Sequence, residues 1–186
     1  MPRINDARVL IIATHGFEQS ELEGPRDQLR DRGAEVHVAS LDGQEIKGWD
    51  GDDWGRPVKA DIALGDASLA DYDALVLPGG QINPDILRTK DEVLDAVRAF
   101  HKAGKVIAAI CHAPWLLVQT DIIRGRKATS YHSIKTDVQN AGADWVDEQV
   151  VADQGIVTSR NPGDIDAFVA KIVEEIEEGT HQRDAA

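Results

Sequence analysis

The only cysteine of the 186-residue chain, Cys111, is followed directly by His112. A thiol beside an imidazole is the minimum equipment for nucleophilic catalysis: sulfur attacks an electrophilic carbon and nitrogen moves the proton. The pair stands at a junction. Val106 to Ile110 is a run of small and β-branched apolar residues, which reads as a strand buried on both faces. Pro114 sits where a helix favours its first residue, and Trp115 to Val118 would form the buried side of that helix. The cysteine therefore falls on a sharp strand-to-helix turn, near a helix N-terminus whose positive potential favours a thiolate. Lone cysteines are often inert core residues; the order strand, Cys-His, Pro, helix is what sets this one apart.

A second set of residues has the form of a ligand-binding strand end. Asp73 to Leu77 reads as a buried strand that runs into Pro78-Gly79-Gly80. Glycines there allow positive φ and close backbone approach, at the edge where open α/β sheets bind ligands. Asn83-Pro84-Asp85 then opens a short helical piece. Near the N-terminus, His15-Gly16-Phe17-Glu18 reads as a turn after the strand Ala7 to Thr14, with Ser20 capping a helix that runs to about Arg32 and stops at Gly33.

The remaining elements must hold these groups together. Glu35 to Ser40 is a second strand, so the first strand, helix and second strand predict a right-handed crossover in a parallel sheet. Leu41 to Leu64 reads as a hairpin excursion with strands near 45–48 and 57–62. Its Asp50, Asp52 and Asp53 lack the glycine and terminal glutamate of a calcium loop. An amphipathic helix is predicted over 90–103, strands at 127–130, 145–151 and 156–159, a short helix at 133–140, and a last helix over 164–178 capped by Asn161-Pro162-Gly163. The whole reads as one α/β domain, 1–186, with a frayed tail at 179–186.

Composition excludes several function classes. The chain is 42% hydrophobic and 28% charged, with a net charge of −13. That balance disfavours binding to nucleic-acid backbones or anionic membranes, which want Lys/Arg patches. One cysteine permits no intrachain disulfide and no thiolate metal cluster. His37, His101, His132 and His181 show no metal-ligand spacing, so no metal and no cofactor is expected. The N-terminus lacks the pattern of a signal peptide and no apolar run approaches a membrane span, so a cytoplasmic protein is expected.

Four blocks resemble the ThiJ/PfpI superfamily, in the branch of bacterial general stress proteins and intracellular protease I, also described as glyoxalases and protein deglycases. They are HGFEQSEL (15–22), DALVLPGG (73–80), AAICHAPWLL (108–117), and GRKATSYHSIKTDVQNAGADWVDEQVV (125–151) continuing to TSRNPGDIDAF (158–168). The resemblance implies a flavodoxin-like three-layer α/β sandwich with a mostly parallel central sheet and a nucleophile elbow, similar to class I glutamine amidotransferases. It implies a homodimer or larger homo-oligomer. It matches Cys111 to the nucleophile, Glu18 to the carboxylic acid that hydrogen-bonds the thiol, and His112 to the family's histidine. Asp85 matches an acidic residue that reaches the histidine of a neighbouring subunit. Gly79 and Gly80 match the Gly-rich strand end, and the N–H groups of Gly80 and His112 match a proposed oxyanion hole. Two positions depart from the pattern. Ala113 replaces a glycine, which narrows the backbone choices at the elbow. His15 replaces a residue that is commonly acidic or polar. Both are candidates for the pocket.

Three activities are compatible with these residues. Cys111 could add to a reactive carbonyl such as methylglyoxal, or to its adduct on a glycated protein, with Glu18 or His112 moving a proton and lactate released. Cys111 and His112 could form a cysteine peptidase with Asp85 of the partner chain. Cys111 could instead be a non-enzymatic redox sensor, oxidised to sulfenic or sulfinic acid. The first, in a stress-response setting, is the favoured expectation.

Overall fold

The computed structural model describes residues 3–183. In chain order the strands and helices are β1 (Arg8–Ile12), β2 (Phe17–Glu18), α1 (Gln19–Asp31), β3 (Glu35–Ser40), β4 (Ile46–Asp50), β5 (Asp53–Val58), β6 (Ile62–Ala63), β7 (Ala74–Leu77), α2 (Ile82–Leu87) and α3 (Asp91–Lys102). They continue with β8 (Val106–Ile110), α4 (Pro114–Gln119), β9 (Lys127–Ala128), α5 (Lys135–Asn140), β10 (Asp144–Trp145), β11 (Val150–Asp153), β12 (Ile156–Ser159) and α6 (Ile165–Glu178).

The apolar runs make the sheet. Seven strands lie in the order β11-β12-β8-β7-β1-β3-β6, parallel throughout except that β11 runs antiparallel to β12. Strand β8 is buried at every position, as expected of a central strand covered on both faces. Alternate residues of β8 feed the two apolar layers. Val106, Ala108 and Ile110 face one side with Phe168 and Ile172 of α6, while Ile107 and Ala109 face the other with Val97 and Phe100 of α3. The result is the flavodoxin-like α/β sandwich with a mostly parallel sheet.

The excursion over 41–64 forms a small sheet of its own, β2-β4-β5, whose β4–β5 pair is an antiparallel hairpin turning at Gly51-Asp52. It hangs beside the C-terminal edge of the main sheet and carries Trp49 toward the site. Several expectations are corrected. Ser20 does not cap α1: it lies inside the helix, whose N-cap is Glu18. The strand expected over 145–151 is two strands, because Trp145 pairs with Ala128 in a separate β9–β10 ladder while Val150 begins β11.

The described part of the tail is not frayed. His181 N–H donates to Gly104 C=O at 2.8 Å. Arg183 donates to the carbonyls of His101, Lys105 and Gln154 at 3.0, 2.7 and 2.8 Å. These carbonyls terminate α3, precede β8 and turn β11 into β12, so one guanidinium ties three connections. Residues 184–186 of the expected tail lie outside the described residues.

Candidate active site

Cys111 follows the last residue of β8 and has φ 65, a left-handed conformation that a non-glycine residue adopts only under constraint. Two backbone bonds impose it: Cys111 N–H donates to Ser159 C=O at 3.0 Å, and Cys111 C=O accepts from Tyr131 N–H at 2.8 Å. Ala113 needs no glycine freedom, since its φ of −60° and ψ of −25° are ordinary helical values. Its side chain is fully buried in the layer of Leu116 and Leu117, so the expectation that Ala113 lines the pocket is corrected.

The carboxyl group against the thiol is that of Glu21, not of Glu18. Helix α1 begins at Gln19, which turns Glu21 inward together with Leu22, Pro25 and Leu29. Glu21 is completely buried. One of its oxygens, Oε2, accepts from Gly80 N–H at 3.1 Å, while Oε1 is buried without a hydrogen-bond partner. A carboxylate left in that state is expensive. Burial, before any other cause, pushes the Glu21 carboxyl up to about 8, so it is a neutral acid at pH 7. Glu18, at the mouth, is half-buried; its Oε1 accepts only a long 3.4 Å bond from Gly51 N–H. Burial and then Asp50 raise its pKa as well, with the Gly51 bond opposing.

The thiol is not the preformed thiolate that a helix N-terminus would favour. Burial pushes its pKa up, an ionised Glu21 would push further, and the N–H groups of Gly80 and His112 pull it back. Helix α4 spans only six residues, and its dipole does not outweigh the burial. A neutral Glu21 removes the repulsion and offers the sulfur a donor.

His112 faces the sulfur. Its Nδ1 lies 3.1 Å from Cys111 Sγ and its Nε2 lies 3.1 Å from Ser133 Oγ. The ring is stacked on Tyr131, centroids 4.7 Å apart, and meets Trp115 edge-on at 5.2 Å. Burial first, then His132, lowers its pKa, so the ring is neutral at pH 7 and can accept a proton. With Nδ1 the nitrogen that accepts the thiol proton, Nε2 carries hydrogen and donates to the Ser133 hydroxyl both before and after protonation. Ser133 is a residue that sequence reasoning missed, because it is 21 positions from its partner.

The glycines act through what they leave out. A Cβ on Gly79 would collide with Glu21 Oε2 and, at 2.6 Å, with Cys111 Cβ. Gly80 has φ 77 and lies against the backbone of Gly16 and Phe17-Glu18. Buried Asn83 ties the same loops: its Oδ1 accepts from Thr14 N–H at 2.8 Å and its Nδ2 donates to Pro78 C=O at 2.9 Å. It too was missed.

A cavity of about 820 Å³ opens over the sulfur, lined by Glu18, Glu21, Trp49, Ile82, Tyr131, His132, Ser133 and Pro162 among others. His15 is not among them. It is exposed, and its Nδ1 accepts from Lys47 N–H at 3.0 Å, bracing β4, so its expected place in the pocket is corrected. Asp85 is exposed on α2 and does not line the cavity of its own chain. One group among the described residues has metal-ligand geometry, Glu175, Glu178 and His181 at the end of α6. Its histidine showed no such spacing to other histidines in the sequence, and none of the three lines the cavity.

The profile of the DJ-1/PfpI family matches residues 7–175. The chain is 40% identical to protein/nucleic acid deglycase 2 of Escherichia coli over 163 residues, 87% of this chain and 92% of that protein. It is 40% identical, with the same coverage, to general stress protein 18 of Bacillus subtilis. Among solved structures, Drosophila melanogaster DJ-1beta superposes with a TM-score of 0.83 at 32% identity, covering 92% of this chain and 94% of that one. Among the described residues no helix is long and apolar enough to cross a membrane.

Proposed function

The chain belongs to the DJ-1/PfpI family, and from that premise we propose that it is a cofactor-independent, cysteine-dependent enzyme of stress defence. It acts on reactive carbonyls, free or as adducts on amines, as the name deglycase of its relatives suggests. The observation that carries this reading is the thiol between a neutral histidine at 3.1 Å and a buried carboxyl held protonated.

The substrate of the following steps is a hemiaminal of methylglyoxal. His112 Nδ1 takes the thiol proton as sulfur bonds to the aldehyde-derived carbon. The carbon–nitrogen bond breaks, and the imidazolium returns its proton to the departing amine. The thiohemiacetal then isomerises through an enediol: His112 takes the proton from the sulfur-bearing carbon and returns it to the neighbouring carbon, while the hydroxyl proton passes from the first oxygen to the second. One carbon is oxidised and the other reduced, so no external oxidant is needed. Water hydrolyses the resulting thioester to lactate and frees Cys111. The N–H groups of Gly80 and His112 serve the developing oxyanion and the Glu21 acid serves the sulfur.

A peptidase would use the same dyad, and the ring direction suits it. That reading needs Asp85 of a second copy to reach His112, but the Nε2 position is filled by Ser133, which favours carbonyl chemistry. The homodimer or larger assembly, and a cytoplasmic location, belong to the same proposal.

The test is lactate formation from methylglyoxal and from a methylglyoxal adduct. Cys111→Ala is expected to abolish it and Glu21→Gln to lower kcat by about 100-fold. Undiminished turnover in Cys111→Ala overturns the proposal.

A further inference from the structure

Glu18 was expected beside the sulfur and lies instead at the rim of the cavity. It lines the same cavity as Trp49 and Tyr131. Among the described residues, those that line the cavity include acidic Glu18 and Glu21 but no Lys or Arg. Glu21 is protonated, so Glu18 is the formal charge that an entering group meets. Asp50 lies close enough to Glu18 to disfavour its ionisation, so the field at the rim is negative, in a chain of net charge −13.

Such an entrance discriminates. A cation entering it is attracted by the carboxylate and finds aromatic rings, with which cations interact favourably. A phosphate meets a like charge with no guanidinium or ammonium to receive it. Resting on the proposed carbonyl-releasing activity, we propose that Glu18 is the specificity residue of this cavity: it selects adducts borne on cationic side chains, those of arginine and lysine, against adducts borne on phosphorylated nucleotides. Sulfur chemistry is common to both, and the charge at the rim is what separates them.

The experiment has two arms. In the first, kcat/KM for lactate release is measured on methylglyoxal-modified Nα-acetylarginine amide, on its uncharged counterpart Nα-acetylcysteine amide, and on modified GMP. The ratio of arginine to GMP adduct is expected to be about 100, to fall about tenfold in Glu18→Gln through KM, and to drop again in Glu18→Lys. Raising salt is expected to compress the wild-type ratio. The second arm needs no turnover. Calorimetry compares unmodified Nα-acetylarginine amide with the citrulline isostere, which has the shape without the charge, in Cys111→Ala protein. The arginine derivative is expected to bind about tenfold tighter, and Glu18→Gln to erase the difference. Equal kcat/KM for the arginine and GMP adducts, or ratios that Glu18→Gln leaves intact, overturns the inference while lactate release upholds the activity. Arginine selectivity in the second arm without lactate from any adduct upholds the inference and overturns the activity.

Discussion

At the scale of single residues, the site is governed by who holds a proton. Glu21 is raised from 4.5 to about 8. Between those values the folded protein keeps a proton that the unfolded chain has released, so stability falls as pH rises through that window. The loss is on the order of 4 kcal/mol by pH 8. Glu21→Gln carries no such group. Its denaturant midpoint is expected to stay flat from pH 5 to 8 while that of the wild type declines, and parallel curves would contradict a buried acid. The same proton sets the activity profile. Above about pH 8 an ionised Glu21 repels the developing thiolate, so kcat/KM is expected to fall; the acid limb belongs to His112 and lies below 6.5, since its pKa is lowered. Ser133→Ala is expected to reduce kcat about tenfold and to shift that acid limb, a displacement that a packing role alone would not produce. The exchange of Glu21 for Glu18 was legible in principle. Glu21 falls on the face of α1 that also carries Leu22, Pro25 and Leu29, and a charged residue at a buried helical position announces a function. The motif HGFEQSEL offers two glutamates, and only the helix start at Gln19 tells which turns inward.

At the scale of elements, apolar runs were the reliable signal. Val106–Ile110 and Glu35–Ser40 appear in the structure with the bounds their composition suggests: the first is buried on both faces and the second alternates, Glu35 and His37 facing out between buried Val36 and Val38. The hairpin β4–β5 was visible as an excursion, yet its role in walling the site was not. That role depends on Trp49 standing beside the sheet edge, a tertiary fact with no local trace. The short β9 lies inside the strand expected over 127–130, and β10 was merged with β11, because two residues each carry no period to mark a boundary. The departure at the elbow resolves at this scale too. Ala113 has helical angles and a buried methyl group, so Ala113→Gly is expected to cost about 1 kcal/mol, lowering Tm by about 2–4 °C with no gain in turnover.

At the scale of the whole molecule, the chain closes on itself through Arg183. Burial and Arg126 lower its pKa to about 10, yet it stays charged at pH 7. Its three carbonyl partners lie in segments separated by 78, 82 and 29 positions. Arg183→Ala is expected to lower unfolding free energy by about 1–3 kcal/mol and to raise hydrogen exchange at Lys105 and Gly155 ahead of the sheet interior. Composition could not reveal this, since the last residues look like a polar tail. The backbone of Cys111 has a consequence on the same scale. Its φ of 65 is a conformation glycine accepts freely and alanine resists. Replacing Cys111 with glycine should therefore yield a sturdier protein than replacing it with alanine, by about 1 kcal/mol, an inversion of the usual ranking within a fold. Chemical denaturation of the two variants reads the difference directly.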